Sequence, residues 1–224
     1  FLRKALSMSV LKTVLSNGMS VISYSMPSVR SVSLGLWFNV GSRDERPDQA
    51  GLTHFMEHMM FKGTSTKGPL EISMHFDKLG AEFNAFTSKE YTCYYARFVD
   101  DKLKDALSVL AEMVIDSQFK QEAIDTEREV VIEEIARSED TPDDYVFELY
   151  NSSSFPSHNL GLPVLGTRQR VGSYTHDDCR AFHDEHYHAG NLVLAAAGNL
   201  KHETLVALAE DLFSSMKPGT KKIR

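Results

Sequence analysis

The first hundred residues alternate between apolar and polar positions in a way that is typical of β-strands. Segments 11–15 and 19–26 flank Ser16-Asn17-Gly18, and an Asn-Gly pair supplies the positive φ angles of a tight hairpin turn. The pattern therefore predicts a β-hairpin at the start of the chain. Further strands are predicted at residues 31–40, 82–87 and 91–99.

Most of the remaining chain has the apolar spacing of amphipathic helices. In segment 101–117 the apolar residues recur three and four positions apart, as one helix face requires. Helices are predicted at 52–61, 70–79, 101–117, 121–137, from Pro142 onward, at 175–187 and at 202–214, with a buried strand at 191–200 and a loop at 152–158. Because the helices come in runs rather than alternating with strands, the fold class is predicted to be α+β.

Composition limits the kind of protein this is. The chain has 224 residues, of which 42% are hydrophobic and 25% charged, a balance that suits a globular fold. The formal net charge of −7 argues against nucleic acid as a partner, and no apolar run is long enough to span a membrane. Two cysteines cannot form a disulfide framework, and Cys93 is expected to be a buried thiol.

The strongest chemical motif is His54-Phe55-Met56-Glu57-His58. On a helix, His54 and His58 share one face and can bind one metal ion, with Glu57 beside that face. This H-x-x-E-H order is the inverse of the commoner H-E-x-x-H zinc-protease motif. A chance pair of histidines on an amphipathic helix is the alternative, but apolar neighbours predict that this helix is largely buried, where polar side chains need partners.

The predicted helix at 121–137 supplies a candidate third ligand. At about 100° per residue, Glu127 and Glu134 fall only about 20° apart, in the middle of the stripe formed by Ile124, Val131 and Ile135. Carboxylates on the core face of a helix are costly unless they are paired or bound to metal. Buried salt bridges to lysine or arginine are the alternative, but two glutamates on one face, together with H-x-x-E-H, favour a metal site.

Two segments resemble the zinc-site motifs of the insulinase, pitrilysin and mitochondrial processing peptidase family. They are residues 51–64 (GLTHFMEHMMFKGT) and residues 127–135 (EREVVIEEI), and the resemblance extends over nearly the whole chain from about Val10. It implies an α+β domain with a mostly antiparallel mixed sheet, helices packed on one face, and a role as one half of a two-domain clamshell peptidase. It also implies that one zinc ion is bound by His54, His58 and Glu134.

The resemblance also implies roles for residues around the metal. Glu57 is expected to be the general base that takes a proton from the zinc-bound water, and Glu127 to orient a ligand histidine. The segment Asn84-Ala85-Phe86-Thr87 resembles the family's edge strand, which pairs with the backbone of an extended substrate. Phe61 and Phe86 are candidates for a side-chain pocket, although each is equally compatible with a core position.

These implications predict a zinc-dependent endopeptidase that acts on peptides or unfolded polypeptide segments. Residues 1–9 are expected to be a leader or tag remnant, 10–216 the zinc-peptidase N-terminal domain, and 217–224 the start of a linker. A second homologous domain or a partner chain is expected to close the chamber, so the isolated chain is expected to be less active. Relatives that serve as non-catalytic assembly subunits provide the alternative, but those usually lack part of the motif.

The composition also bears on the cellular compartment. Few cysteines and an acidic charge suit a bacterial cytoplasm, the expected location, and also a mitochondrial matrix.

A second group of histidines, His183, His186 and His188, lies close together in sequence. They are expected to be surface or helix-end residues rather than a second metal site, because no further ligands accompany them.

Overall fold

Six strands form the framework of the protein. The computed structural model describes residues 9–219. The strands are β1 (Val10–Val14), β2 (Ser20–Ser25), β3 (Ser31–Phe38), β4 (Glu82–Thr87), β5 (Thr92–Val99) and β6 (Leu192–Gly198). The hairpin predicted around Asn17-Gly18 is confirmed, since β1 and β2 pair antiparallel on either side of that turn.

All six strands belong to one mixed sheet with the order β1-β2-β6-β3-β5-β4. Neighbouring strands are antiparallel except β2 and β6, which run parallel. β6 comes late in the chain but inserts between β2 and β3, so residues far apart in the sequence are neighbours in the middle of the sheet. β4 lies at an edge, next to β5.

Eight helices complete the described part of the chain. They are α1 (Leu52–Met59), α2 (Pro69–Leu79), α3 (Leu103–Asp116), α4 (Gln121–Glu139), α5 (Pro142–Ser154), α6 (Arg168–Val171), α7 (His176–His186) and α8 (His202–Leu212). The predicted positions are confirmed to within a few residues, except that α5 continues through the first part of the predicted loop at 152–158 and α6 was not predicted. None of the described helices is both long and apolar enough to cross a membrane.

The helices pack on one face of the sheet, as the α+β prediction requires. Strand residues that point to that face are buried, whereas the outer face carries partly exposed side chains such as Trp37 and Tyr95. β6 was predicted to be buried throughout, but its residues alternate between buried and partly exposed positions. Its position in the middle of the sheet buries its backbone, while helices cover only one of its two faces.

Helix α7 carries histidines that the sequence placed at the surface or at a helix end. His183 and His186 are both buried, so the surface assignment is wrong for them, although His186 is the last residue of α7. His183 reaches the end of α3, where its Nε2 lies 2.8 Å from the Val114 carbonyl oxygen. Its ring also stacks on Tyr187, with 5.0 Å between centroids, so it serves packing. Cys93 is buried, as predicted.

Candidate metal centre

Helix α1 is the short, buried element that carries the H-x-x-E-H motif. Its Leu52, Phe55, Met56 and Met59 are almost completely buried, which fixes the helix in the core and leaves the polar face turned outward. Gly51 precedes the helix with φ of 92°, and its backbone lies against Gly166 so closely that no side chain would fit at either position. The helix that carries the motif therefore begins at a backbone position that is tightly packed against Gly166.

The three predicted metal ligands converge between α1 and α4. Glu134 Oε2 lies 3.7 Å from His54 Nε2 and 3.5 Å from His58 Nε2. One ligand atom from each of the three residues lies within 4.8 Å of the other two. Two ligand atoms at tetrahedral positions on a zinc ion lie about 3.3 Å apart, given metal–ligand distances of about 2 Å. The donor set of two imidazoles and one carboxylate thus fits a catalytic zinc site.

Among residues 9–219, this is the one group of three or more His, Cys, Asp or Glu side chains close enough to hold a metal ion. The cluster of His183, His186 and His188 does not form another. The predicted burial of both α4 glutamates is correct for Glu127 but not for Glu134, whose side chains are 4% and 41% exposed. Glu134 is thus only partly buried, which suits a ligand of a metal site that keeps one position open to water.

The two histidines differ in their electrostatic environment. Burial, together with the neighbouring His58, lowers the pKa of His54 to about 3, so His54 is neutral. Burial alone would lower the pKa of His58, but its bond to Glu127 and the nearby carboxylates of Glu134 and Glu57 raise it overall. A neutral imidazole is the form that binds metal, and negative charge around His58 also favours a cation at the same place.

Glu127 lies behind His58. Its Oε2 is 3.0 Å from His58 Nδ1, and its Oε1 is 2.6 Å from Lys62 Nζ. Although burial opposes ionisation, these two partners hold the pKa of Glu127 below its usual value. The ionised carboxylate can accept a hydrogen bond from the Nδ1–H of His58, which leaves the Nε2 lone pair directed toward His54 and Glu134.

Glu57 lies beside the ligands and is not one of them. Burial raises the pKa of Glu57, with a further contribution from Glu134, while a hydrogen bond from Thr87 and the neighbouring His58 act in the opposite direction. The Thr87 hydroxyl donates to Glu57 Oε2 at 2.5 Å. A carboxylate whose pKa is raised, next to a metal site, is suited to take up and release a proton.

The edge strand β4 runs beside this site, but its predicted residues do not all face it. Asn84 and Phe86 alternate with Ala85 and Thr87 along the strand, so they point to opposite faces of the sheet. Asn84 Oδ1 accepts a hydrogen bond from the Ala85 amide at 2.9 Å.

The two phenylalanines proposed for one pocket are separated by the sheet. Phe61 packs against Phe83 and Tyr94 on the helix-covered face, with ring centroids 5.9 and 6.3 Å away. Phe86 contacts Trp37 at 5.6 Å on the outer face and is 38% exposed. The structure therefore does not bring Phe61 and Phe86 together, because Phe86 points to the outer face of β4 whereas Phe61, in the turn after α1, lies on the helix-covered face.

Sequence reasoning missed Lys62 and the contact of Thr87 with Glu57. Lys62 follows His58 by four positions, one helical turn, but α1 ends at Met59 and the lysine reaches Glu127 from the following turn. Thr87 is two positions from Ala85, so the alternation of β4 assigns both to the same face. That alternation could have indicated Thr87, but the position of β4 relative to α1 depends on tertiary packing.

With the geometry established, comparison with known proteins identifies the family. The family model described as "Insulinase (Peptidase family M16)" matches residues 20–168, which is more than half of the chain. The chain belongs to the insulinase family, peptidase family M16. A second model, described as "Peptidase M16 inactive domain", matches residues 173–224.

Several curated relatives of this M16 chain are bacterial proteins. An "uncharacterized zinc protease" of Rickettsia felis is 44% identical over 207 residues, which cover 92% of this chain and 50% of that protein. The uncharacterized zinc protease YmxG of Bacillus subtilis is 43% identical over 199 residues, covering 89% of this chain and 48% of its own length. The M16 chain thus spans about half the length of these relatives.

Solved structures share the fold. A protease from Helicobacter pylori superposes with a TM-score of 0.89 at 24% identity, covering 96% of this chain and 52% of that one. The periplasmic protease PqqL from Escherichia coli gives a TM-score of 0.86 at 24% identity, covering 96% of this chain and 25% of PqqL. At these identities the likeness concerns the fold, and it confirms the predicted sheet with helices on one face.

Proposed function

We propose that this M16 chain is the metal-bearing half of a zinc-dependent endopeptidase that cleaves peptides or unfolded polypeptide segments. The observation that carries the proposal is the convergence of His54, His58 and Glu134 next to Glu57, a carboxylate left out of the ligand set. Zinc held by these three residues would supply Lewis acidity and a bound water with a pKa of about 7.

Residues around the metal ligands would transfer the proton, orient His58 and bind the substrate. Glu57 accepts the proton of the attacking water and returns it to the leaving amine, while Thr87 holds its carboxylate in place. Glu127 and Lys62 fix the orientation of His58. An extended substrate adds to the edge of the sheet along β4, near Asn84 and Ala85, through backbone hydrogen bonds.

The proposal includes a second half. Since the curated relatives are about twice as long as this chain, we expect a homologous domain or partner chain to close the chamber over the site. A non-catalytic assembly subunit is the alternative function, but His54, Glu57, His58 and Glu134 are all present, which argues against it. The expected bacterial cytoplasmic or mitochondrial-matrix location stays a prediction.

The test separates metal binding from catalysis. The wild-type chain is expected to bind one zinc per molecule, and Glu57→Gln is expected to bind zinc equally well. In the longer parent protein, Glu57→Gln should reduce hydrolysis of a quenched peptide by on the order of 100-fold or more, because the proton acceptor is lost. Glu133→Gln, on the exposed side of α4, is the matched control. Wild-type hydrolysis by Glu57→Gln would show that Glu57 is not the general base.

A further inference from the structure

A buried carboxylate lies at the beginning of the helix that carries the metal ligands. Glu45 belongs to the loop between β3 and α1 and is 1% exposed. Its Oε2 accepts a hydrogen bond from the Gly51 amide at 2.9 Å, and its Oε1 accepts one from the Thr53 amide at 2.7 Å. These amides belong to the N-cap and the first turn of α1, which have no carbonyl partner within the helix.

Glu45 accepts hydrogen bonds from first-turn amides of α1 that no side chain at the N-cap can accept. The N-cap residue of α1 is Gly51, which has no side chain to accept the first-turn amides. The charge of Glu45 is not neutralised by an ion pair with any residue in 9–219, and Lys89 contributes only at a distance. Burial raises the pKa of Glu45 to about 7, with the amide hydrogen bonds opposing this rise. Burying this carboxylate at the start of α1 therefore costs free energy.

The two ligand histidines are held in different ways. The ring of His58 is oriented by Glu127 at Nδ1. By contrast, Nδ1 of His54 is buried and has no hydrogen-bond partner among residues 9–219. His54 directly follows Thr53, whose amide is bound by Glu45. The position of the His54 imidazole thus depends on the backbone of the first turn of α1, the turn that Glu45 holds.

We infer that Glu45 is a positioning residue for the metal centre. Its carboxylate fixes the first turn of α1 and, through that turn, the imidazole of His54. In its ionised form, this carboxylate also offsets the positive end of the α1 dipole, which would otherwise repel a cation close to His54. This inference rests on the zinc site proposed above.

The experiment compares two carboxylates that cap helices. Glu45→Gln keeps the size of the side chain but removes its charge and one of its two acceptors. The control is Glu71→Gln, because Glu71 accepts the Gly68 amide at the start of α2 at 2.6 Å and is exposed. Zinc affinity of the 224-residue chain is measured by chelator competition, and ligand geometry is measured from the visible absorption spectrum of the cobalt-loaded chain.

Glu45→Gln is expected to weaken zinc binding about tenfold and to alter the cobalt spectrum, as removal of a buried charge at a helix terminus would. Glu71→Gln is expected to keep both at their wild-type values. A folded Glu45→Gln chain with wild-type zinc affinity and spectrum would overturn the inference. Failure of Glu45→Gln to fold even with excess zinc would also overturn it, since the carboxylate would then serve the whole fold.

The wild-type measurement keeps this inference separate from the proposed function. If the wild-type chain binds no zinc, the proposed metal site fails, and the inference about Glu45 fails with it. If the wild-type chain binds zinc and Glu45→Gln binds it equally well, only the role of Glu45 is rejected.

Discussion

At the scale of single residues, the ionisation of Glu57 is set by opposing neighbours. Burial raises its pKa, and the hydrogen bond from Thr87 is the largest effect that lowers it. The proposed base would work only when ionised, so this hydroxyl extends the pH range in which Glu57 can accept a proton. In the proposed mechanism, Thr87 therefore acts on catalysis through Glu57, without being a metal ligand.

Replacement of Thr87 by valine tests this role, since the two side chains have nearly the same shape. Without the hydroxyl, the pKa of Glu57 rises further, so the acidic limb of kcat/KM in the longer parent protein should move to higher pH. Peptide hydrolysis measured across pH checks this, with Thr126→Val on the exposed side of α4 as control. An acidic limb at its wild-type pH in Thr87→Val would show that the hydroxyl does not tune Glu57.

Sequence alone could predict the residues whose spacing is set by one helix. His54, Glu57 and His58 share a turn of α1, and Glu127 and Glu134 share a face of α4. Glu45, by contrast, lies in an irregular loop, where no period connects it to α1. Its contact with Thr53 depends on how that loop folds back, which the pattern of apolar residues does not specify.

At the scale of elements, the start of α1 depends on a close backbone contact. A Cβ atom at Gly51 would lie 2.5 Å from the Leu165 carbonyl oxygen, and the residue has φ of 92°. Both the conformation and the neighbouring backbone exclude a side chain here. The segment around Leu165 and Gly166 thus packs against the backbone at the N-terminus of α1, although it lies far away in the sequence.

Gly51→Ala should therefore destabilise the chain by about 2 kcal/mol or more, combining left-handed strain with overlap. Gly80→Ala is the matched control, because Gly80 also has positive φ, 61°, but nothing lies within 4 Å of its Cβ position. This control should lose only about 1 kcal/mol. Urea unfolding measures both. Equal losses for the two variants would show that the contact with Leu165 is not tight.

The elements themselves were largely predictable, but their arrangement was not. Periods of two and of 3.6 residues indicated the strands and most helices, because each exposes one face to the core. The insertion of β6 between β2 and β3 is a long-range pairing that those periods do not encode. The same limit explains why Phe61 and Phe86 were assigned to one pocket, since their relative position depends on which face of the sheet the helices cover.

At the scale of the whole molecule, the described chain leaves substantial apolar surface exposed. The exposed apolar side chains of α5 are Tyr145, Val146, Phe147, Leu149 and Tyr150. A cavity of about 450 Å³ on the outer face of the sheet is lined mainly by apolar atoms, including those of Trp37 and Phe86. Exposed apolar side chains gathered on one element are typical of surfaces that contact protein, membrane or a ligand. Contact with the proposed second half is one such use, for a chain that spans about half the length of its relatives.

Metal binding and peptide hydrolysis should therefore separate when the 224-residue chain is compared with a longer parent protein. The ligands His54, His58 and Glu134 and the supporting Glu127 all belong to this chain, so both forms are expected to bind zinc with affinities within a few-fold of each other. Hydrolysis of a quenched peptide should be much slower for the short chain, since it lacks the substrate contacts that the proposed second half would supply.

Adding the second half as a separate polypeptide provides the decisive comparison. If the two parts assemble, hydrolysis should rise with the concentration of the second half and reach a plateau, while the zinc content stays at one ion per molecule of the 224-residue chain. The same titration with Glu57→Gln should give no rise, because the proton acceptor lies in this chain. Equal kcat/KM values for the short chain and the longer parent would instead place the complete catalytic apparatus within these 224 residues.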